Sequence, residues 1–213
     1  MDKHIKRFCI IAVDYEGHVP REHDDRFIDS TSIIRGLESL GAQTFRDFNV
    51  VICHDGPKQV PYEDEGIDFN ELGLEPYIIN TENRMSDWGH SSRDFAMKYA
   101  YENNLGEYYI QFNIDNELFP QALQVLSDAI DSSENEIFIF PVQHWKAVGG
   151  AIFRGIPPRI CNIDCMQLVA HKNVWKSVNM WYNKDAMSDG IIYQDMCERF
   201  PWTEVQECLG HNF

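Results

Sequence analysis

Basic residues are scarce in this 213-residue chain: 18 lysines and arginines stand against 34 aspartates and glutamates, a formal net charge of -16. A nucleic-acid surface needs a basic stripe to meet phosphates, so a DNA or RNA partner is not expected. A nucleotide ligand remains open, because a metal ion and one or two arginines can supply positive charge locally. Long apolar runs are also missing. The run Phe8 to Val13 is too short for a signal peptide or a membrane span, and acidic residues follow it at once. No membrane segment is expected, and a reducing, cytoplasmic setting is the default. The six cysteines are scattered. Cys9 and Cys53 lie in apolar runs and read as small core residues, while Cys161 and Cys165 have no second pair at zinc-ribbon spacing. Neither G-x-G-x-x-G nor G-x-x-x-x-G-K-[ST] occurs, which disfavours dinucleotide oxidoreductases and P-loop enzymes. Without G-x-S-x-G the usual serine-hydrolase reading goes too. The D-x-D-x-[TV] signature is missing after the first apolar run, so a phosphatase using Asp14 as nucleophile is disfavoured.

What is present is alternation. Phe8 to Val13 and Val50 to Cys53 read as strands buried on both faces, and Tyr77-Ile78-Ile79 as a third strand. Tyr108 to Phe112 and Ile137 to Phe140 read as two more. Between the first two, Asp29 to Ser32 offer helix N-caps, Ile33, Ile34, Leu37 and Leu40 keep helical spacing, and Gly41 is a stop. Ser91 to Glu102 forms a helix with Phe95, Ala96 and Tyr99 facing inward. Pro120 opens another, with Leu123, Leu126 and Ile130 on one face. Strand-helix alternation implies a mainly parallel sheet with helices on both sides. The final third is less regular, with a strand over Met166 to Ala170 and helices near Lys172 to Trp181 and Gly190 to Arg199. One domain is expected, with a nucleotide-binding half over about residues 1–118 and an acceptor half over about 119–213. A place for this domain within a longer protein stays open.

Each buried strand of the first half, Tyr77-Ile78-Ile79 included, ends in polar residues: Asp14-Tyr15, His54-Asp55, Asn80 to Asn83 and Asn113-Ile114-Asp115-Asn116-Glu117. Strands end in polar turns anyway, and taken singly each of these is no more than that. In a parallel sheet, however, such ends share one edge and converge on one cleft. Oxygen ligands such as Asp115 suit hard cations, Mg²⁺ or Mn²⁺.

The order of features resembles the GT-A glycosyltransferases, in particular family 2 enzymes of bacteria and viruses. Leu37-Glu38-Ser39-Leu40 with Gln43 stands where those enzymes have "SL..Q", and Cys53-His54-Asp55-Gly56-Pro57 stands for "DDGS". Asn83, Gly89 and Ser92-Arg93-Asp94 follow the order of "N…G…ARN". Asn113-Ile114-Asp115 takes the place of the DxD motif, and Ser188-Asp189 that of an "ED" pair. The match is closest to a glycosyltransferase domain encoded by chlorella viruses, which would place the protein in a host cytoplasm. His54, Asn113 and Ser188 replace the first acid of three motifs, and Asp55, Asp115 and Asp189 keep the second.

The resemblance implies a GT-A, Rossmann-like three-layer sandwich and transfer of a hexose from a UDP-sugar to a hydroxyl of a glycan or glycoprotein, by inverting displacement. It implies that Asp55 reads uracil, that Tyr15 stacks on the base or borders the ribose, and that Val13, Arg93, Asn113 and Ile114 complete the nucleotide site. Asp115 would hold Mn²⁺ or Mg²⁺, with His211 as a second ligand that favours Mn²⁺. Asp189 would be the general base, with Asp164 as the substitute. His144, Trp145 and Trp181 would line the sugar or acceptor pocket. Duller roles stand beside these: a helix cap for either aspartate, a surface ion pair for Arg93, a tail residue for His211 and a core position for the tryptophans. Two other readings are a sugar-phosphate nucleotidyltransferase, which normally carries a glycine-rich basic loop that is absent here, and a nucleotide-sugar-binding module without catalysis.

Overall fold

The structure, a computed structural model, describes residues 5–14, 17–18, 27–28, 30–85, 87, 89–144, 151–183, 185 and 187–212. Tyr15 and Trp145 lie outside the described residues. The strands are β1 (Phe8–Asp14), β2 (Gly17–His18), β3 (Phe27–Ile28), β4 (Phe48–His54), β5 (Tyr77–Asn80), β6 (Tyr108–Asn113) and β7 (Glu117–Leu118), then β8 (Ile137–Ile139), β9 (Val142–His144), β10 (Ile152–Phe153), β11 (Leu168–His171), β12 (Trp202–Glu204) and β13 (Gly210–Asn212). The helices are α1 (Ser30–Gly41), α2 (His90–Glu102), α3 (Ala122–Asp131), α4 (Lys172–Ser177) and α5 (Ser188–Arg199).

Seven strands form the central sheet in the order β12-β8-β11-β6-β1-β4-β5. Strands β5, β4, β1 and β6 run parallel, and β11 runs against both β6 and β8. One opposed strand among seven makes the sheet mainly parallel, as the alternation implied. A second sheet, β10-β9-β13-β7, gathers the short strands of the C-terminal part. Its members are two or three residues long, too short for any periodicity to show in the sequence.

All seven residues of β1 are buried, because helices cover both faces of the sheet at its centre. Its side chains alternate between two cores. Phe8, Ile10 and Ala12 join Leu37 and Leu40 of α1 and Leu123 and Leu126 of α3 on one side. Cys9 and Ile11 meet Ala96, Met97 and Ala100 of α2 on the other, together with Trp175, Trp181 and Tyr193. Burial pushes the Cys9 thiol well up and the Cys53 thiol up to about 12, so both act as small apolar residues.

Three expectations are corrected. Strand β5 is an edge strand, and Tyr77 and Ile78 are exposed there instead of buried. Phe95 faces outward, because the buried stripe of α2 is Ala96, Met97 and Ala100, one position on. The segment expected as a strand from Met166 begins instead with a 3₁₀ turn, Cys165–Gln167, which Asp164 caps.

Two contacts fix the turn after β6. Gly36 lies mid-helix in α1, and a Cβ there would fall 1.8 Å from the Ile114 carbonyl oxygen, so only glycine lets the helix lean on that turn. At the end of α1, Gln43 is buried. Its amide donates to the carbonyls of Ser39 and Phe119, both at 2.9 Å, and its oxygen accepts from the Leu123 backbone N–H at 3.1 Å. One side chain thus ties α1 to the loop that leads into α3.

Candidate active site

The register of β1 with its two neighbours lines up the strand ends. Val13 pairs with Cys53 on one side and Asn113 on the other, so His54-Asp55 and Asn113-Ile114-Asp115 leave the sheet at the same level. With about 4.8 Å between adjacent strands, the two motifs stand roughly 10 Å apart across β1. This is the carboxyl edge of the parallel strands, where open α/β sheets hold ligands.

Asp55 is 4% exposed, and its Oδ1 accepts from the Met85 backbone N–H at 2.9 Å. Its own N–H donates to the Asp14 carbonyl at 2.9 Å, and Gly56 turns the chain with a φ of 90°. The side chain is held by the fold before any ligand arrives. Val13 is buried beneath Gly89, where a Cβ would come within 2.7 Å of the valine methyl. That glycine, with φ 77°, opens α2 and brings Arg93 to the end of β6.

Arg93 is the centre of the site. It is 4% exposed, and its Nη2 donates to the Asn113 side-chain oxygen. Its guanidinium lies 5.4 Å from the centre of the Trp181 ring, and Nη1 is buried without a hydrogen-bond partner among the described residues. A buried cation with an unsatisfied donor is costly, so this group is suited to an anion or a sugar oxygen. Trp181 is fully buried, packed against Trp175 and His90, and serves as the floor under Arg93. Its face is therefore covered by protein, which places it apart from the expected sugar pocket.

Ile114 is buried, and Asp115, half-buried, follows it. The Arg35 guanidinium donates to the Asp115 carbonyl at 3.1 Å and pairs through Nε with Glu117 Oε1 at 3.0 Å. Glu117 Oε2 in turn lies 3.2 Å from His211 Nδ1, and His211 Nε2 meets Gln143 Oε1. The register of β13 produces this, since His211 stands opposite both Glu117 and Gln143. In this arrangement His211 struts β7 to β9 with both ring nitrogens engaged. Among the described residues no three His, Cys, Asp or Glu side chains converge as a metal cage. Asp115 is a fitting hard ligand for a cation shared with the phosphates of a ligand, a common arrangement for Mg²⁺. Asn113 and His211, as folded here, are committed elsewhere.

Asp189, which feels the Arg93 charge, occupies the first turn of α5. Its Oδ1 accepts from the Gly190 N–H at 2.8 Å. Burial and the neighbouring Asp164 carboxylate push its pKa up to about 6, against the pull of Gly190 and the Arg93 charge. A carboxylate tuned to that range is suited to accept a proton near neutral pH. Asp164 accepts from the Met166 N–H at 3.3 Å and closes a capping box with Gln167, so it has a structural task of its own. His144 ends β9 with its ring edge-on to Phe153 at 6.0 Å.

Two participants escaped the sequence. His90 and Arg35 carried no motif; the packing of α2 on α5 and of α1 on β7 gives them Ser188 and Glu117 as partners.

No protein-family model and no curated protein matches the chain. Solved structures do. The crystal structure of S. aureus TarS gives a TM-score of 0.71 at 14% identity, covering 96% of this chain and 36% of that one. Residues 1-349 of TarS in complex with UDP give 0.73 at 14% identity, covering 97% of this chain and 60% of that one. The complex of the same TarS segment with UDP-GlcNAc gives 0.70 at 14% identity, covering 97% and 58%. This chain thus spans 36–60% of the length of these neighbours. At this identity the likeness is one of fold, and the expected three-layer GT-A architecture is borne out.

Proposed function

We propose that the chain is a glycosyltransferase domain that takes a UDP-sugar as donor and transfers a hexose to a hydroxyl acceptor of a glycan or glycoprotein. The carrying observation is the convergence of Asp55, Arg93 and Asn113-Ile114-Asp115 on one sheet edge, with Asp189 near enough to Arg93 to feel its charge. The support from outside is that the same fold has been solved with UDP and UDP-GlcNAc in TarS.

In this reading the Asp55 carboxylate accepts the N–H of the uracil ring, held ready by the turn that Met85 completes. The unsatisfied Nη1 of Arg93 donates to the diphosphate or the sugar. A divalent ion, Mn²⁺ or Mg²⁺, held by Asp115 and the donor's phosphates, would act as a Lewis acid on the leaving diphosphate. Asp189 accepts the proton of the acceptor hydroxyl as its oxygen attacks the anomeric carbon from the face opposite the nucleotide, which inverts the configuration. Arg93 and Asp115 belong to the leaving-group side and Asp189 to the acceptor side, so the charges stand where a single displacement develops them.

Titration calorimetry with UDP, GDP and CMP, with and without Mn²⁺, tests the donor site. UDP is expected to bind tightest, and more tightly with Mn²⁺. Metal-independent UDP binding that survives Asp115→Ala would refute the shared-cation arrangement. Equal affinity for all three nucleotides would refute base reading by Asp55. The commitments of Asn113 to Arg93 and of His211 to Glu117 and Gln143 favour a second reading, a nucleotide-sugar-binding module without turnover. Its mark would be UDP-sugar binding with no donor hydrolysis and no transfer.

A further inference from the structure

A chain of buried contacts runs from the strand end at Asn113 to the first turn of α5. Arg93 bonds Asn113 and covers Trp181, and Trp181 Nε1 donates to His90 Nδ1 at 3.1 Å. His90 is 7% exposed and its ring stacks on Trp181 with centroids 6.0 Å apart. Ser188, fully buried, brings its Oγ within 3.0 Å of His90 Nδ1 and 3.2 Å of Nε2. The indole N–H can only donate, so Nδ1 is an acceptor and the ring's proton sits on Nε2. His90 opens α2 on the donor side, and Ser188 immediately precedes Asp189.

The start of α5 needs an anchor of this kind. Its N-cap, Met187, supplies no side-chain hydrogen bond. Gly190 lies so close to Ile160 that a Cβ would come within 2.6 Å of the Ile160 Cα. The first turn is thus wedged on one face by the Ile160 backbone and tied on another by Ser188 to His90. Both His90 and Ser188 are buried.

We infer that His90 is a positioning residue: through Ser188 it fixes the first turn of α5, and so the Asp189 carboxylate, relative to the Arg93 and Asn113 side of the site. The inference rests on the reading of Asp189 as the base. Replacing His90 or Ser188 releases the turn, admits water to the Asp189 carboxylate and misplaces it. Displacement by about 1 Å typically costs roughly a hundredfold in rate.

The test is an NMR titration of aspartate ¹³Cγ in the folded chain, alongside transfer or donor-hydrolysis kinetics and UDP calorimetry. Asp189→Asn assigns the signal, which is expected to titrate near 6 in the unaltered protein. In His90→Ala and in Ser188→Ala that titration is expected to fall by about one pH unit towards the ordinary carboxylate range. The kcat falls by roughly ten- to a hundredfold, while UDP affinity holds. His90→Gln, whose amide can accept from Trp181 and donate to Ser188, restores both. Ser188→Ala removes one oxygen and decides the matter should His90→Ala not fold. An Asp189 titration near 6 that neither variant moves, or a loss of UDP affinity that matches the loss of kcat, overturns the positioning role. An Asp189 that titrates in the ordinary range in the unaltered protein overturns the base assignment, and this inference with it.

Discussion

Asp55 and Asp189 each follow a residue that is not an acid, His54 and Ser188, in the same site, yet their surroundings differ in kind. Asp55 sits in a tight turn where the Met85 N–H bonds its carboxylate and its own N–H is tied to Asp14. Asp189 sits in the first turn of a helix whose N-cap supplies no side-chain hydrogen bond, partly buried beside a second carboxylate, and its pKa is driven up to about 6. One acid is prepared to hold a ligand's N–H, the other to take up a proton. The same side chain serves either purpose, and the difference lies in hydrogen-bond supply and in the charge of the neighbours.

The largest expected effect comes from removing the base. Asp189→Asn should lower transfer by roughly 10²- to 10⁴-fold while leaving UDP affinity intact, as read by kinetics and calorimetry. The same change should raise stability at pH 7.5. The folded pKa is raised above the unfolded value, so the favourable contribution of Asp189 is complete below about 3.8 and is lost as the pH rises through about 6. At neutral pH the buried charge is a cost, and its removal should add on the order of 1–2 kcal/mol in urea unfolding. A variant that is inactive and less stable would break the contrast with Asp55.

Asp55→Ala should do the converse. UDP affinity falls by about ten- to a hundredfold, as suits the loss of a buried hydrogen-bonded carboxylate, and the Met85 N–H is left unpaired. The acid limb of the rate profile keeps its position. Arg93→Lys should weaken UDP binding by roughly tenfold, because a point charge cannot reach both Asn113 and a phosphate as the planar guanidinium does. Arg93→Gln, which removes the charge, should raise the Asp189 titration, since the Arg93 charge lowers it. Gly36→Ala should act through the backbone alone. The added Cβ meets the Ile114 carbonyl, costing about 1–3 kcal/mol of stability. Donor binding should weaken with it, as the Asp115 turn shifts. The acid limb of kcat/KM, expected near 6, is the smallest signal, and a limb near 4 would remove the distinction between the two aspartates.

The buried strands β1, β4 and β6 were legible because a strand covered on both faces must be apolar throughout. The helix α1 showed its face through Ile33, Leu37 and Leu40, all three buried or close to it. The site strand ends were legible for the same reason: polar groups at the close of an apolar run stand out. The second sheet was not, since strands of two or three residues carry no period. Nor was the exposure of β5, because an apolar edge strand reads like a buried one. Trp181 had no signal in the sequence to place it under Arg93 instead of against a ligand.

By itself, then, the chain's order of apolar runs determined a mainly parallel α/β sheet and the edge on which Asp55, Asn113 and Asp115 would meet. That follows from burial, which local pattern records. Only the tertiary structure decided what each polar group touches. Asn113 is held by Arg93 from α2, His211 is locked between β7 and β9, and Asp189 is tuned by Asp164 from another loop. These are contacts between residues far apart in sequence, and their charges and hydrogen bonds exist only once the layers have packed.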